Sequence, residues 1–117
     1  MEASIIACDQ QIIDGVLILN NLTVSIMSDS PLARFAFFIQ TNDSNNTFYR
    51  FNFPDEIFYI QPSIRYSIRL TDYMSFDIRS PKVRGALKYQ IYIRNMNGNQ
   101  AYISCPLLDG EYFEVRA

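Results

Sequence analysis

Apolar and polar side chains take turns along most of this chain, and a period of two leaves room for little besides strands. In IRYSIRLTDYMSFDIRS (64–80), Ile64, Tyr66, Ile68, Leu70, Met74, Phe76 and Ile78 hold the even positions. Arg65, Ser67, Arg69, Ser75, Asp77 and Arg79 hold the odd ones. LTVSIM (22–27) aligns Leu22, Val24 and Ile26, RFAFFIQT (34–41) aligns Phe35, Phe37 and Ile39, and TFYRFNF (47–53) aligns Tyr49, Phe51 and Phe53. The turn formers NDSNN (42–46) make 34–53 a hairpin, and NN (20–21) reads as a turn joining VLIL to LTVSIM. SDSP, PDE, QPS, SPKVRG and LLDG supply the remaining breaks.

Parity sets the pairing in YQIYIRNMNGNQAYISC (89–105). A two-residue Asn97-Gly98 turn would mix the faces, opposing Ile93 to Tyr102. An odd-length loop centred on Gly98 opposes Ile93 to Ile103 and Ile91 to Cys105, and sets Arg94 beside Tyr102. Only the odd loop leaves one dry face, and a buried face specifies register strongly. By the same logic 64–70 and 73–79 form either a hairpin with an odd loop at Thr71-Asp72-Tyr73 or one long bent strand. Both place the arginines on the outer face.

The expected architecture is a single all-β domain over 1–117, an antiparallel β-sandwich of about eight short strands. Its core is expected to include Val24, Ile26, Phe35, Phe37, Ile39, Phe51, Phe53, Ile68, Phe76, Ile91, Ile93 and Ile103. The aromatic FAFFIQ strand with its polar hairpin, and the later YQIYIRNMNGNQAYIS pair, resemble immunoglobulin-like or fibronectin type III-like accessory domains. The likeness lies in pattern over most of the chain. The Cys…Trp…Cys signature of immunoglobulin domains is absent, since the chain has no Trp. A small OB-like barrel is the competing architecture.

With 117 residues, 49% hydrophobic and 19% charged, the chain has the composition of one globular domain. Ten basic against twelve acidic residues give a net charge of −2, the wrong sign for a dedicated nucleic-acid binder. Apolar runs such as VLIL and FAFFI are far too short for a membrane span. The N-terminus carries Glu2 and lacks the apolar region of a secretory signal. If Met1 is the natural start, a cytoplasmic location follows. The abrupt EYFEVRA end instead favours a domain cut from a longer polypeptide, whose other domains would then be among its partners.

Catalytic chemistry has little to work with. The chain has no His, which removes Ser-His-Asp and Cys-His arrangements and His-ligated zinc. It carries no nucleophile elbow and no phosphate-cradling glycine loop. Asp55-Glu56 and Asp109/Glu111 are the paired carboxylates available to a small enzyme, but adjacent acids in polar turns are ordinarily solvated. No metal site and no cofactor are expected, and the chain reads as a non-enzyme. Cys8 and Cys105 lie near opposite ends and could close a disulfide around nearly the whole domain. Two small buried hydrophobes in a reducing compartment are the simpler account.

What remains is arginine interleaved with tyrosine. Arg65, Arg69 and Arg79, with Tyr73 at the turn, and Arg94 with Tyr102, form the candidate binding surface, since Arg and Tyr bring large planar area with a polar edge. The plainer account is that one face of an antiparallel sheet must be wet, with Asp77 neutralising one arginine. The expected function is an interaction or accessory domain with a protein or glycan partner. The alternative is an OB-like binder of single-stranded nucleic acid, which the charge balance disfavours.

Overall fold

The computed structural model describes residues 1–13, 16–41, 47–54, 59–74, 87–106 and 114–116. These form eight strands: β1 (Glu2–Ile13), β2 (Val16–Met27), β3 (Leu32–Thr41), β4 (Thr47–Asn52), β5 (Arg65–Arg69), β6 (Leu87–Asn95), β7 (Gln100–Pro106) and β8 (Glu114–Arg116). One sheet has the order β1-β2-β5, with β8 joining β2 in parallel; the other has the order β4-β3-β6-β7. All other pairings are antiparallel. The chain is therefore all-β with two antiparallel sheets, the arrangement of a sandwich. Among the described residues no strand pairing joins the two sheets.

The core lies between the sheets and follows the period-two pattern. Val24, Ile26, Phe35, Phe37, Ile39, Phe53, Ile91 and Ile93 are buried in it, and Phe51, Ile68 and Ile103 pack against it partly covered. Phe76 lies outside the described residues. Leu19, Leu22, Leu32, Ile60, Leu70, Met74 and Tyr89 complete the cluster. Aromatic rings meet edge to face at Phe35–Phe53, 4.8 Å between centroids, and the tilted Phe37–Tyr89 pair lies at 5.5 Å. The Tyr89 hydroxyl donates to Gln10 Oε1 at 2.8 Å, tying β6 to β1.

Three expectations about strand boundaries and register change. Asn20-Asn21 is not a turn: β2 runs straight through it. Asp9 pairs Asn21 and Gln10 pairs Leu19, so Asn20 is the extra residue of a bulge. The bulge shifts parity, and so both Leu19 and Leu22 face the core. The segment after β5 forms a 3-10 turn at Leu70–Asp72, with Leu70 fully buried, while 75–80 lies outside the described residues.

The β6–β7 hairpin keeps the expected parity but closes two positions tighter. Ile91 opposes Ile103, Ile93 opposes Ala101, and Tyr92 opposes Tyr102. Its loop is Met96-Asn97-Gly98, centred on Asn97 rather than Gly98. Asn95 fixes it: its Oδ1 accepts from the backbone of Asn97 at 3.1 Å and of Asn99 at 2.9 Å. Asn95 Nδ2 donates to Ser28 Oγ at 3.1 Å and to Asp29 Oδ1 at 3.2 Å, joining this loop to the β2–β3 corner. Gly98, at φ +85°, takes the left-handed position that a three-residue hairpin loop requires.

Candidate functional site

Each sheet turns one face outward, and each outer face carries arginines. On the first sheet, β5 alternates exposed and half-buried residues, with Arg65, Ser67 and Arg69 outward. Arg65 donates from Nη1 to Ser25 Oγ at 3.0 Å and from Nη2 to Glu2 Oε2 at 2.7 Å. Arg69 donates from Nη2 to the Asn20 carbonyl at 3.1 Å, capping the bulge, and its Nε lies 3.7 Å from Asp72 Oδ1. Both guanidinium groups are committed to the protein's own acceptors. Arg79 and Asp77 lie outside the described residues, and the neutralising acids are Glu2 and Asp72. Tyr73 follows the 3-10 turn, with its ring 6.2 Å from that of Phe53 in an edge contact.

The second sheet's outer face is different. Across β4-β3-β6-β7 the register stacks three rows. Arg34 stands opposite Arg94, and Arg94 opposite Gln100; Asn52, Ala36, Tyr92 and Tyr102 form the next row; Arg50, Phe38, Gln90 and Ser104 form the third. Ala36, Phe38 and Tyr92 make a small apolar cluster separate from the main core. Arg34 lies over the Tyr92 ring at 5.4 Å and Arg50 over the Phe38 ring at 5.1 Å. Tyr92 and Tyr102 rings are 4.8 Å apart with planes 46° apart, and Tyr102 is 66% exposed.

The expected neighbours Arg94 and Tyr102 do share this face, although Arg94 opposes Gln100 and Tyr102 opposes Tyr92. Arg65 and Arg69 belong to the other sheet's outer face and Tyr73 packs against the core residue Phe53, so the six candidate residues do not form one surface. The sequence reading set Tyr92 beside Arg94 and Tyr102 but missed Arg34, Arg50 and Phe38. A signal for them existed: the four strands LARFAFFIQT, TFYRFN, LKYQIYIRN and QAYISCP contain Arg34, Arg50, Lys88 and Arg94 and no Asp or Glu. Among the described residues, the ion pairs formed are Arg65–Glu2 and Arg69–Asp72, and neither lies on this face.

Cys8 is half-buried in β1 opposite Leu22, and Cys105 sits in β7 opposite Tyr89, with its side chain outside the described residues. The expectation of a disulfide between them falls there too. Asp55-Glu56 and Asp109/Glu111 also lie outside the described residues. Among the described residues no group of three or more His, Cys, Asp or Glu comes together to hold a metal. No described helix is long and apolar enough to cross a membrane. No family model, curated protein or solved structure matches the chain.

Proposed function

We propose that the chain is a non-catalytic binding module that takes a protein partner on the outer face of its second sheet. The observation that carries this reading is the collection of Arg34, Arg50, Arg94 and Tyr102 on a face whose four strands contain no carboxylate. Arginine and tyrosine dominate the energetics of protein interfaces, and a wide sheet face suits a broad protein surface. A glycan or a single-stranded nucleic acid would use stacked rings instead. Here Tyr92 is nearly buried and tilted 46° from Tyr102, so the two do not make one flat stacking platform.

The strand orders support a fibronectin type III-like reading of the sandwich. In β1-β2-β5 and β4-β3-β6-β7 each strand takes the place that the A-B-E and C′-C-F-G strands hold in that architecture. The parallel β8–β2 pair departs from it. A module of this type is at home beside other domains of one polypeptide.

A photo-crosslinking residue at Tyr102, compared with one at Ser67 on the opposite face, tests the proposal in extract from the source cells. The expected result is a discrete crosslinked protein from position 102 and none from 67. Excess unlabelled protein should compete it away, and a variant with Arg34, Arg50 and Arg94 all changed to Gln should not. Equal crosslinking from both positions, or none from either, would overturn it.

A further inference from the structure

Arg34 in β3 and Arg94 in β6 stand directly opposite each other across the ladder. Side chains so placed have Cβ atoms roughly 4.5–5.5 Å apart, where like charges destabilise a sheet. A bulge creates the arrangement. Leu32 pairs Asn95, yet Arg34 pairs Arg94, so Ala33 is an extra residue that shifts parity. Leu32 therefore faces the core while Arg34, two positions on, faces out. No ion pair relieves the two charges among the described residues. Arg34 and Arg50 instead lie over aromatic rings. A guanidinium held over a ring keeps its in-plane N–H fork for a planar acceptor such as a carboxylate.

We infer that the Arg34–Arg94 pair and Arg50 receive two carboxylates of an extended acidic segment that runs along β3. This rests on the reading of the second sheet's outer face as the binding face, and it names the chemistry recognised there. Arg50 pairs Phe38, four residues along β3 from Arg34. Four residues of strand and one strand spacing separate the two positions by about 14 Å. An extended peptide spans about the same distance between side chains i and i+4, which share one side. Its i+2 side chain would then lie over Ala36 and Tyr92, which are 0% and 8% exposed and form an apolar floor. The segment sought is acidic, any, apolar, any, acidic.

Fluorescence anisotropy with a labelled peptide containing Glu-Ser-Leu-Ser-Glu, and with its Gln-for-Glu counterpart, provides the test. The Glu peptide should bind, more weakly as salt is raised. The Gln peptide, and the Glu peptide with Arg34→Gln, should each bind about tenfold or more weakly. Arg65→Gln should change nothing. Arg94→Glu should abolish binding while leaving the melting temperature equal or higher, because it replaces a like-charge pair with an opposite one. That combination separates a binding defect from a folding defect. Equal affinity for the Gln peptide would overturn the carboxylate assignment while the Tyr102 crosslink kept the face. Tighter binding of an oligothymidylate than of the Glu peptide would overturn the assignment to protein.

Discussion

Two faces of one molecule present the same side chain in opposite circumstances. On the first sheet, Arg65 reaches Glu2 and Ser25, and Arg69 reaches Asp72 and the Asn20 carbonyl. On the second, Arg34 and Arg94 confront each other, and the nearest partners of Arg34 and Arg50 are aromatic rings. Exposure does not distinguish the two sets, since Arg34, Arg50, Arg65, Arg69 and Arg94 are all exposed. What distinguishes them is whether the chain supplies its own acceptors. An arginine already paired within the fold solvates a sheet; an arginine set against another arginine leaves hydrogen-bonding capacity for a second molecule.

The strongest perturbation should erase the contrast by unfolding both faces together. Ile93 is fully buried between the sheets on the strand that carries Tyr92 and Arg94. Ile93→Ala should lower stability by about 2–5 kcal/mol in urea titration. Asn95→Ala comes next. It removes two side-chain hydrogen bonds that tie the β6–β7 loop to the β2–β3 corner and two that fix the loop's own backbone. A loss of about 2–3 kcal/mol is expected, because buried polar partners are left unpaired.

The smallest effects are the most diagnostic, because they differ in sign between the faces. Arg65→Ala should cost about 0–1 kcal/mol, as an exposed ion pair does. Arg94→Gln should instead gain about 0.3 kcal/mol by removing a like-charge neighbour. Both differences should shrink as salt is added. Thermal melts of the two variants over a salt series measure this, and a loss of stability in Arg94→Gln would remove the contrast.

Strand-level organisation was legible because alternation is a local signal: the 34–53 hairpin, the FAFFIQ core positions and the odd length of the β6–β7 loop all appear as expected. Bulges are not legible in this way. Those at Ile6, Asn20 and Ala33 interrupt the alternation and mimic a strand break or a turn. The two-position change at β6–β7 escaped because it preserves parity; the Asn95 side chain, not the hydrophobic pattern, chooses between the registers. The arginine row was visible and its quenching was not. Glu2 lies 63 residues before Arg65, and only the β1-β2-β5 order brings them together. Arg34 and Arg50 were overlooked because each stands alone in its strand, and their common face exists only once β3 and β4 pair.

The irregular ladder between β1 and β2 bears on how the molecule avoids its own copies. β1 is a twelve-residue strand at the edge of its sheet, paired on one side by β2. A flat edge of that length is a template for open-ended growth, chain upon chain. The extra residue at Ile6 breaks the run of evenly spaced donors and acceptors and leaves its own side chain 54% exposed. The second irregularity, at Asn20 of β2, leaves the β1 backbone continuous but adds local twist to the pair opposite Asp9 and Gln10. Ile6 divides the edge into stretches of four and seven residues, and the exposed Asp9 sets a carboxylate within the longer one. The bulge at Ile6, with the twist added at Asn20, thus acts as insurance against fibre formation.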